Sequence, residues 1–287
     1  MNKMAKQELI EEQPFKGKIA IIPGGSKGMG KATAKDFVQL GGSVCIIARG
    51  IEALKETEEE CKKLKSEDSQ FVEIISCDTK DMDKLKPLLT DFIDKHGIPD
   101  YLFNFVGYAF VQYLEKLKLE DFIMNMDVDY YGQLVPTLIV MPYFMEAKKG
   151  YITFTSSVLG FMAVMGYTTY CPSKFALFGL AEALRHELLP YKIKVSILFP
   201  TDTDTPGYAE ENKTKPEECK IMSSVGTVMT AEQVAEEFID GILNERFEIL
   251  PGEAAVQMKE MRENPDQVRG VLDSLYKRAR RKTKRKI

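Results

Sequence analysis

Short apolar runs alternate along the chain with longer stretches in which apolar residues recur at helical spacing. This alternation is typical of a parallel sheet covered by helices on both faces, because strands buried on both sides are almost continuously hydrophobic. The predicted strands are residues 18–23, 43–48, 71–76, 101–105, 150–155, 194–199 and 247–250. The predicted long helices are residues 29–40, 51–65, 81–96, 121–148, 173–189 and 231–244. The sequence therefore predicts an α/β fold, a single doubly wound domain with a seven-stranded parallel sheet.

Polar segments flank this predicted domain on both sides. Residues 1–15 form a polar leader, and residues 253–287 form a charged segment that we expect to be helical and to carry a basic tail. Between them, residues 16–252 contain no linker rich in Pro, Gly or Ser, so we expect one catalytic domain. The stretch from 200 to about 228 has an irregular pattern and is longer than most connections, which makes it a candidate substrate loop.

The composition of the chain limits the kinds of partner that we expect it to bind. The formal net charge is −4, but residues 277–287 hold eight Lys or Arg and no acid, so the rest of the chain is strongly acidic. An acidic body is a poor nucleic-acid binder, whereas the basic tail suits peripheral contact with an anionic membrane. The five cysteines and two histidines show no metal-ligand spacing, and no run approaches the ~18 apolar residues of a membrane helix. We expect a cytoplasmic protein with no metal, no nucleic-acid partner and no transmembrane segment.

A glycine-rich turn follows the first predicted strand and opens the first predicted helix. Its residues are Gly24, Gly25, Ser26, Lys27, Gly28, Met29 and Gly30. Glycine lets the backbone turn tightly and approach a pyrophosphate, and the helix start offers free N–H groups to it, although an ordinary strand-to-helix turn also uses glycine. The spacing resembles the T-G-x-x-x-G-x-G loop of the short-chain dehydrogenase/reductase family, with Pro23 in place of the usual Thr. The turn therefore predicts a Rossmann-type dinucleotide site.

The end of the second predicted strand indicates which dinucleotide binds. An NAD-specific enzyme is expected to place a carboxylate there for the ribose 2′-hydroxyl, but this chain has Arg49. Arg49 and Lys27 are able to neutralise a 2′-phosphate through charge-assisted hydrogen bonds, unless both are solvated surface charges. We therefore predict NADP(H) as the cofactor.

The family resemblance implies further cofactor contacts. Asp78 and Thr79 follow the third predicted strand, where the family has its adenine-binding Asp. Asn104 and Gly107 are what this chain retains of the N-N-A-G motif that the family has after its fourth strand. Both pairs are therefore expected at the cofactor.

Tyr170 and Lys174 lie four residues apart at the start of an apolar segment, so a helix would place them on one face. Ser157 ends the fifth strand thirteen residues before Tyr170, which is the spacing of the catalytic serine in this family. A phenol with a pKa near ~10 is a poor acid at neutral pH, and we expect Lys174 to lower that pKa. The resemblance implies that Lys174 also binds the nicotinamide ribose, and that Ser157 holds the substrate oxygen while Tyr170 protonates it.

Asp129 departs from the family pattern. It stands where the family normally has an Asn that anchors a water in the proton relay to the lysine. A carboxylate has the shape of the amide and also holds a water, but its charge would pair with Lys174. We include Asp129 in the predicted catalytic group.

Residues 200–216 resemble the corresponding segment of 3-ketodihydrosphingosine reductases. The resemblance implies NADPH-dependent reduction of 3-ketosphinganine or a similar long-chain ketone, with Pro200, Thr203 and Thr205 beside the nicotinamide carboxamide. The apolar stretch between the catalytic serine and tyrosine would then line an alkyl groove, although it would serve equally as core. The predicted substrate contacts are Ser157, Phe161, Tyr167 and Tyr208. Four acids of the loop, Asp202, Asp204, Glu210 and Glu211, would suit a substrate amine or would simply keep the loop solvated.

Other functions remain open at this stage. One is the reduction of another hydrophobic ketone, such as a steroid, quinone or 3-ketoacyl compound, and another is NADP(H) binding without catalysis. The resemblance also implies a homo-oligomer, a dimer or tetramer, formed through the helices predicted at 121–148 and 173–189.

Overall fold

The computed structural model describes residues 3–224 and 226–283. The strands are β1 (Ile19–Pro23), β2 (Ser43–Ala48), β3 (Val72–Ser76), β4 (Tyr101–Phe103), β5 (Gly150–Thr155), β6 (Ile193–Leu198), β7 (Thr203–Asp204), β8 (Met229–Thr230) and β9 (Glu248–Ile249). Seven of them form one parallel sheet in the order β3-β2-β1-β4-β5-β6-β9, as predicted. The order reverses between β1 and β4, which opens a crevice at the carboxyl ends of these strands.

Helices cover both faces of the sheet. They are α1 (Lys3–Glu12), α2 (Gly28–Gln39), α3 (Ile51–Lys62), α4 (Met82–His96), α5 (Leu119–Asn125), α6 (Gly132–Ala147), α7 (Tyr170–Glu187), α8 (Pro206–Thr214), α9 (Glu217–Ser223), α10 (Ala231–Leu243), α11 (Ala254–Glu263) and α12 (Pro265–Thr283). The polar leader therefore contains a helix. Its Lys6 ammonium lies 3.1 Å from the Asp36 carboxylate and 2.8 Å from that of Glu236, which fixes α1 against α2 and α10.

The strands divide the core into two clusters, one on each face of the sheet. Ile21 and Ile47 face one cluster, and their neighbours Ile22 and Ile46 face the other. All four side chains are fully buried. This explains why the strands are hydrophobic throughout rather than alternating.

Two predictions about local structure are wrong. The stretch from 200 to 228 is not irregular throughout, because most of it folds into β7, α8 and α9. The helix predicted for 121–148 is interrupted by a π-helical segment, Met126–Tyr131, between α5 and α6. A π turn accommodates one more residue than an α turn, so it rotates the side chains that follow it. Here the segment carries Asp129 to a fully buried position.

The C-terminal helices pack against the substrate loop. The Thr283 hydroxyl, at the end of α12, donates a hydrogen bond to Glu218 Oε1 of α9 at 2.6 Å. The hydroxyl of Tyr113 donates to the other oxygen of Glu218. Residues 277–283 of the basic tail belong to α12, whereas residues 284–287 lie outside the described residues. None of the helices in the described part of the chain combines the length and hydrophobicity of a membrane span.

Candidate active site

One cavity of about 750 Å³ lies at the carboxyl ends of the strands and brings most of the predicted site residues together. Its walls come from the glycine turn, the ends of β2 to β6, the start of α7, the loop with α8 and α9, and α11 and α12. The predicted residues that line it are Gly24, Ser26, Lys27, Gly28, Met29, Gly30, Arg49, Asp78, Thr79, Gly107, Ser157, Tyr167, Tyr170, Lys174, Pro200, Thr203, Thr205 and Tyr208. Three predicted residues, Asn104, Asp129 and Phe161, do not line it.

The glycine turn packs so closely against neighbouring backbone that two of its positions leave no space for a side chain. Gly24 has a φ of 80°, and a Cβ there would lie 2.6 Å from the carbonyl carbon of Phe105. A Cβ on Gly30 would lie 2.5 Å from the carbonyl oxygen of Gly24. The helix α2 starts at Gly28 with no side-chain cap and no acid in its first turn, so its N–H groups are offered to the cavity. This arrangement fits a pyrophosphate.

Two exposed cations, Lys27 and Arg49, stand at the same end of the cavity. Neither forms an ion pair with a residue that the structure describes. Asp78 and Thr79 lie beside them at the end of β3, and Asp78 accepts a hydrogen bond from the Lys80 amide at 3.2 Å.

The structure corrects the prediction for Asn104. Its side chain is fully buried, and its Nδ2 donates to the Thr153 carbonyl at 3.0 Å and to Thr137 Oγ1 at 3.3 Å. Asn104 therefore joins β4 to β5 and α6 behind the cavity. Because β4 ends at Phe103, it is the backbone of the following residues, Phe105 to Gly107, that borders the cavity.

The three predicted catalytic side chains converge as expected from their spacing. Tyr170 is the first residue of α7, Lys174 lies one turn later, and Ser157 follows directly on the end of β5. The Lys174 ammonium lies 5.3 Å from the centre of the Tyr170 ring and donates to the Thr155 carbonyl at 3.1 Å. Ser157 Oγ accepts a hydrogen bond from the Leu159 amide at 3.1 Å, which fixes the hydroxyl at the cavity wall.

Asp129 supports this group from behind. Its Oδ1 accepts from the Tyr108 amide at 2.7 Å and lies 3.5 Å from the Lys174 ammonium. Its Oδ2 accepts from Ser173 Oγ at 2.7 Å and from Asn125 Nδ2 at 3.2 Å. Asp129 is therefore a fully buried carboxylate with four partners, and it acts on the cavity through Lys174.

The ionisation of Tyr170 differs from the expected direction. Burial raises the pKa of the Tyr170 hydroxyl well above its ordinary value, and the charges of Asp129 and Glu211 raise it further. A hydrogen bond with Ser157 opposes this shift. Burial lowers the pKa of Lys174, and Asp129 opposes that shift. Burial, the largest cause, therefore outweighs the lowering that we expected from Lys174, and that expected lowering of the Tyr170 pKa is wrong for this arrangement.

A second buried ion pair lies on the loop side of the cavity. The Lys215 ammonium lies 2.8 Å from Glu211 Oε1, and none of the Lys215 side chain is exposed. Tyr167 donates to the same Glu211 oxygen at 2.6 Å, and Tyr208 donates to Asp202 Oδ2 at 3.3 Å. The sequence did not single out Lys215, because its burial depends on how α8 folds over the cavity.

The far end of the cavity is apolar. Met162, Val164 and Met165 come from the predicted groove between the catalytic serine and tyrosine. The opposite wall, which the sequence did not predict, consists of Met222 of α9 and of Leu272 and Leu275 of α12. Only the three-residue spacing of Leu272 and Leu275 on one helix could have indicated that they share a face.

Phe161 is not part of this wall. It is buried in the core, with its ring 5.5 Å from that of Phe199 in an edge-on arrangement. The prediction that Phe161 contacts the substrate is therefore wrong, and its ring supports the end of β6 instead.

Known proteins share this chain's sequence and fold. The profile of the short chain dehydrogenase family matches residues 18–216. A 3-ketodihydrosphingosine reductase of Dictyostelium discoideum is 38% identical over 253 residues, which cover 82% of this chain and 75% of that protein. A 3-dehydrosphinganine reductase of Danio rerio is 40% identical over 231 residues, covering 79% and 70% respectively. A short chain dehydrogenase/reductase of Burkholderia phymatum, solved in complex with NAD, has the same fold, with a TM-score of 0.77, 22% identity and 89% and 96% coverage.

The family match spans the glycine turn, the predicted catalytic residues Ser157, Tyr170 and Lys174, and residues 200–216. It thus includes the residues that converge on the cavity, and it confirms the resemblance seen in the sequence. The chain belongs to the short-chain dehydrogenase/reductase family and is an oxidoreductase of that family.

Proposed function

We propose that this enzyme uses NADPH to reduce a long-chain ketone, and that 3-ketodihydrosphingosine is the substrate. The observation that carries the proposal is the single cavity, which leads from the glycine turn past Tyr170 to an apolar end. The names of the Dictyostelium and Danio relatives support this choice of substrate.

The cofactor end suits NADPH. The glycine turn and the start of α2 fit the pyrophosphate, and Lys27 and Arg49 supply two unpaired cations where a 2′-phosphate would lie. No acid stands at the end of β2 to favour a free 2′-hydroxyl. Pro200, Thr203 and Thr205 border the part of the cavity assigned to the nicotinamide.

Reduction adds a hydride to the carbonyl carbon and a proton to its oxygen, and the bound cofactor supplies the hydride. Ser157 and Tyr170 hold the carbonyl oxygen between their hydroxyl groups, which are already hydrogen-bonded to each other. Tyr170 donates the proton, which its raised pKa keeps on the phenol until the oxygen becomes basic. Lys174 then faces the phenolate that is left and stabilises its charge.

The apolar end suits an alkyl chain. Met162, Met165 and Met222 are unbranched and adapt to a flexible chain, while Leu272 and Leu275 close the wall. Each buried methylene contributes about 0.8 kcal/mol, so a long chain binds more tightly than a short one wherever it remains within this wall.

NADPH oxidation at 340 nm, with 3-ketodihydrosphingosine beside ketones of decreasing chain length, tests the proposal. We expect turnover of the long-chain ketone, weaker activity as the chain shortens, and loss of turnover in Tyr170→Phe. Turnover of a steroid, quinone or 3-ketoacyl compound alone would reassign the substrate. NADPH binding without turnover of any ketone would indicate a protein that binds the cofactor without catalysis.

Two further expectations stay predictions. Peripheral binding to anionic lipid through the basic tail is checked by co-sedimentation with anionic vesicles at low and high salt, because such contacts are screened. The homo-oligomer is checked by light scattering.

A further inference from the structure

The charged cluster on the loop side of the cavity, which includes the buried ion pair, has more negative than positive charge. The proposed reaction does not account for this excess. Two carboxylates, Asp202 and Glu211, line the cavity there, and one ammonium, Lys215, lies behind them. Lys215 is held over the Tyr208 ring at 4.8 Å and the Tyr167 ring at 5.6 Å. The Lys215 charge is therefore fixed within the protein. Among the described residues of the cluster, negative charges outnumber positive charges by one.

The missing charge is not supplied by another residue of the cluster. Tyr167 and Tyr208 donate neutral hydrogen bonds to the two carboxylates. Burial raises the pKa of Asp202, and Lys215 and the hydrogen bond from Tyr208 oppose the shift, so the two carboxylates draw on the same ammonium. A buried excess of negative charge is costly, and a cationic ligand in the cavity would offset it.

The cluster is close to the reacting group. The rings of Tyr167 and Tyr170 are 6.0 Å apart, and the charge of Glu211 raises the pKa of the Tyr170 hydroxyl. A cation bound to Glu211 would therefore stand within a few bonds of the carbonyl that Tyr170 protonates. Among ketones, this position corresponds to an ammonium group on the carbon next to the carbonyl.

We propose that Glu211, oriented by Tyr167 and Lys215 and assisted by Asp202, binds the ammonium group of a 2-amino ketone and so selects this substrate class. The inference rests on the proposed function. It also gives the amine a role in the reaction, because a positive charge at Glu211 offsets that carboxylate's share of the raised pKa of Tyr170.

The loop offers a matched control. Glu217, at the start of α9, carries the same charge but does not line the cavity, and its side chain is 65% exposed and lies 3.8 Å from the Lys220 ammonium. Glu211, by comparison, is 13% exposed and lines the cavity. Replacing either residue by Gln removes one negative charge from the same loop, so a difference between the two variants isolates the contact with the ligand.

The experiment compares 3-ketosphinganine with its deamino analogue, 1-hydroxyoctadecan-3-one, in NADPH oxidation assays. We expect the wild type to prefer the amino ketone. Glu211→Gln should lower kcat/KM for the amino ketone roughly 10- to 100-fold, the size of a lost charge-assisted hydrogen bond, and leave the deamino ketone within about twofold. Glu217→Gln should leave both unchanged. Activity on the deamino ketone reports that each variant is folded.

Three results would overturn the inference. They are equal losses on both ketones in Glu211→Gln, an equal effect of Glu217→Gln, and a wild type that does not distinguish the two ketones. Failure of the wild type to reduce either ketone would instead remove the proposed function, and the inference with it. Asp202→Asn provides a second variant, with a smaller selective loss expected, because Asp202 lies beside Glu211 and has no ion pair in the described residues.

Discussion

Two buried pairs of lysine and carboxylate flank Tyr170, and they differ in how completely they are satisfied. On the sheet side, Asp129 is fully buried and has four partners, including Lys174 at 3.5 Å. On the loop side, Glu211 is partly open to the cavity and shares Lys215 with Asp202. A saturated pair fixes the position of a side chain, whereas an unsaturated pair at a cavity wall has charge left for a ligand.

Tyr170→Phe should have the largest effect, because both pairs act on the same phenol. It removes the proton donor, and general acid catalysis contributes ~10²- to 10⁴-fold, so kcat should fall by that factor. NADPH affinity, measured by calorimetry, should remain unchanged. Near-normal turnover in this variant would show that Tyr170 is not the proton donor. Neither ion pair would then act on proton transfer through Tyr170.

Removing each lysine tests the difference in burial. Lys174→Met leaves Asp129 buried without its cation and should cost about 3–5 kcal/mol of unfolding free energy. Lys215→Met should cost less, because Glu211 keeps the Tyr167 hydroxyl and reaches the cavity. Urea unfolding at pH 7 gives both values, and the reverse order would break the comparison.

Arg49 extends the comparison to an exposed cation. Arg49 has no ion-pair partner among the residues that the structure describes, so it is available for a 2′-phosphate, and NADPH should be preferred over NADH at least tenfold, or about 1.4 kcal/mol. Arg49→Asp should reverse the ratio of kcat/KM for the two cofactors. Equal ratios in the wild type and the variant would make Arg49 an ordinary surface residue.

Asp129→Asn should have the smallest effect, a shift of the pH profile with activity retained. The charge of Asp129 raises the pKa of both Tyr170 and Lys174, so its removal lowers both values. The protonated phenol and the ammonium are then lost at lower pH, and the alkaline limb of kcat moves to lower pH.

The control for this change is Asp127→Asn, in the same π-helical segment. Asp127 pairs with Lys80 at the surface, so its removal should leave the profile in place. If Asp129→Asn abolishes turnover at every pH between about 5 and 10, Asp129 is essential to proton transfer rather than a support for Lys174.

The contrast between the sheet side and the loop side of the cavity also explains which features the sequence could predict. The glycine turn, Ser157, Tyr170 and Lys174 each follow a strand or begin a helix, so the order of elements alone brings them to one edge of the sheet. Asn104 was misplaced because its amide is hydrogen-bonded to Thr153 and Thr137 behind the cavity, and these long-range contacts leave no local pattern in the sequence.

The loop side required tertiary information. Phe161 and Met162 are neighbours with similar patterns, yet one packs on Phe199 and the other faces the cavity. Lys215 resembles any surface lysine until α8 folds over it. No local pattern relates Leu275 to Met165, more than a hundred residues earlier, although both line the same apolar end.

The position of α12 along the chain has a consequence for how the enzyme is made. Every strand of the sheet precedes α12 in sequence, and a ribosome delivers the chain from its N-terminus. A nascent chain therefore exposes the glycine turn and Tyr170 before it exposes Leu272 and Leu275. The apolar wall that we propose for the alkyl chain is thus the last part of this cavity to be synthesised.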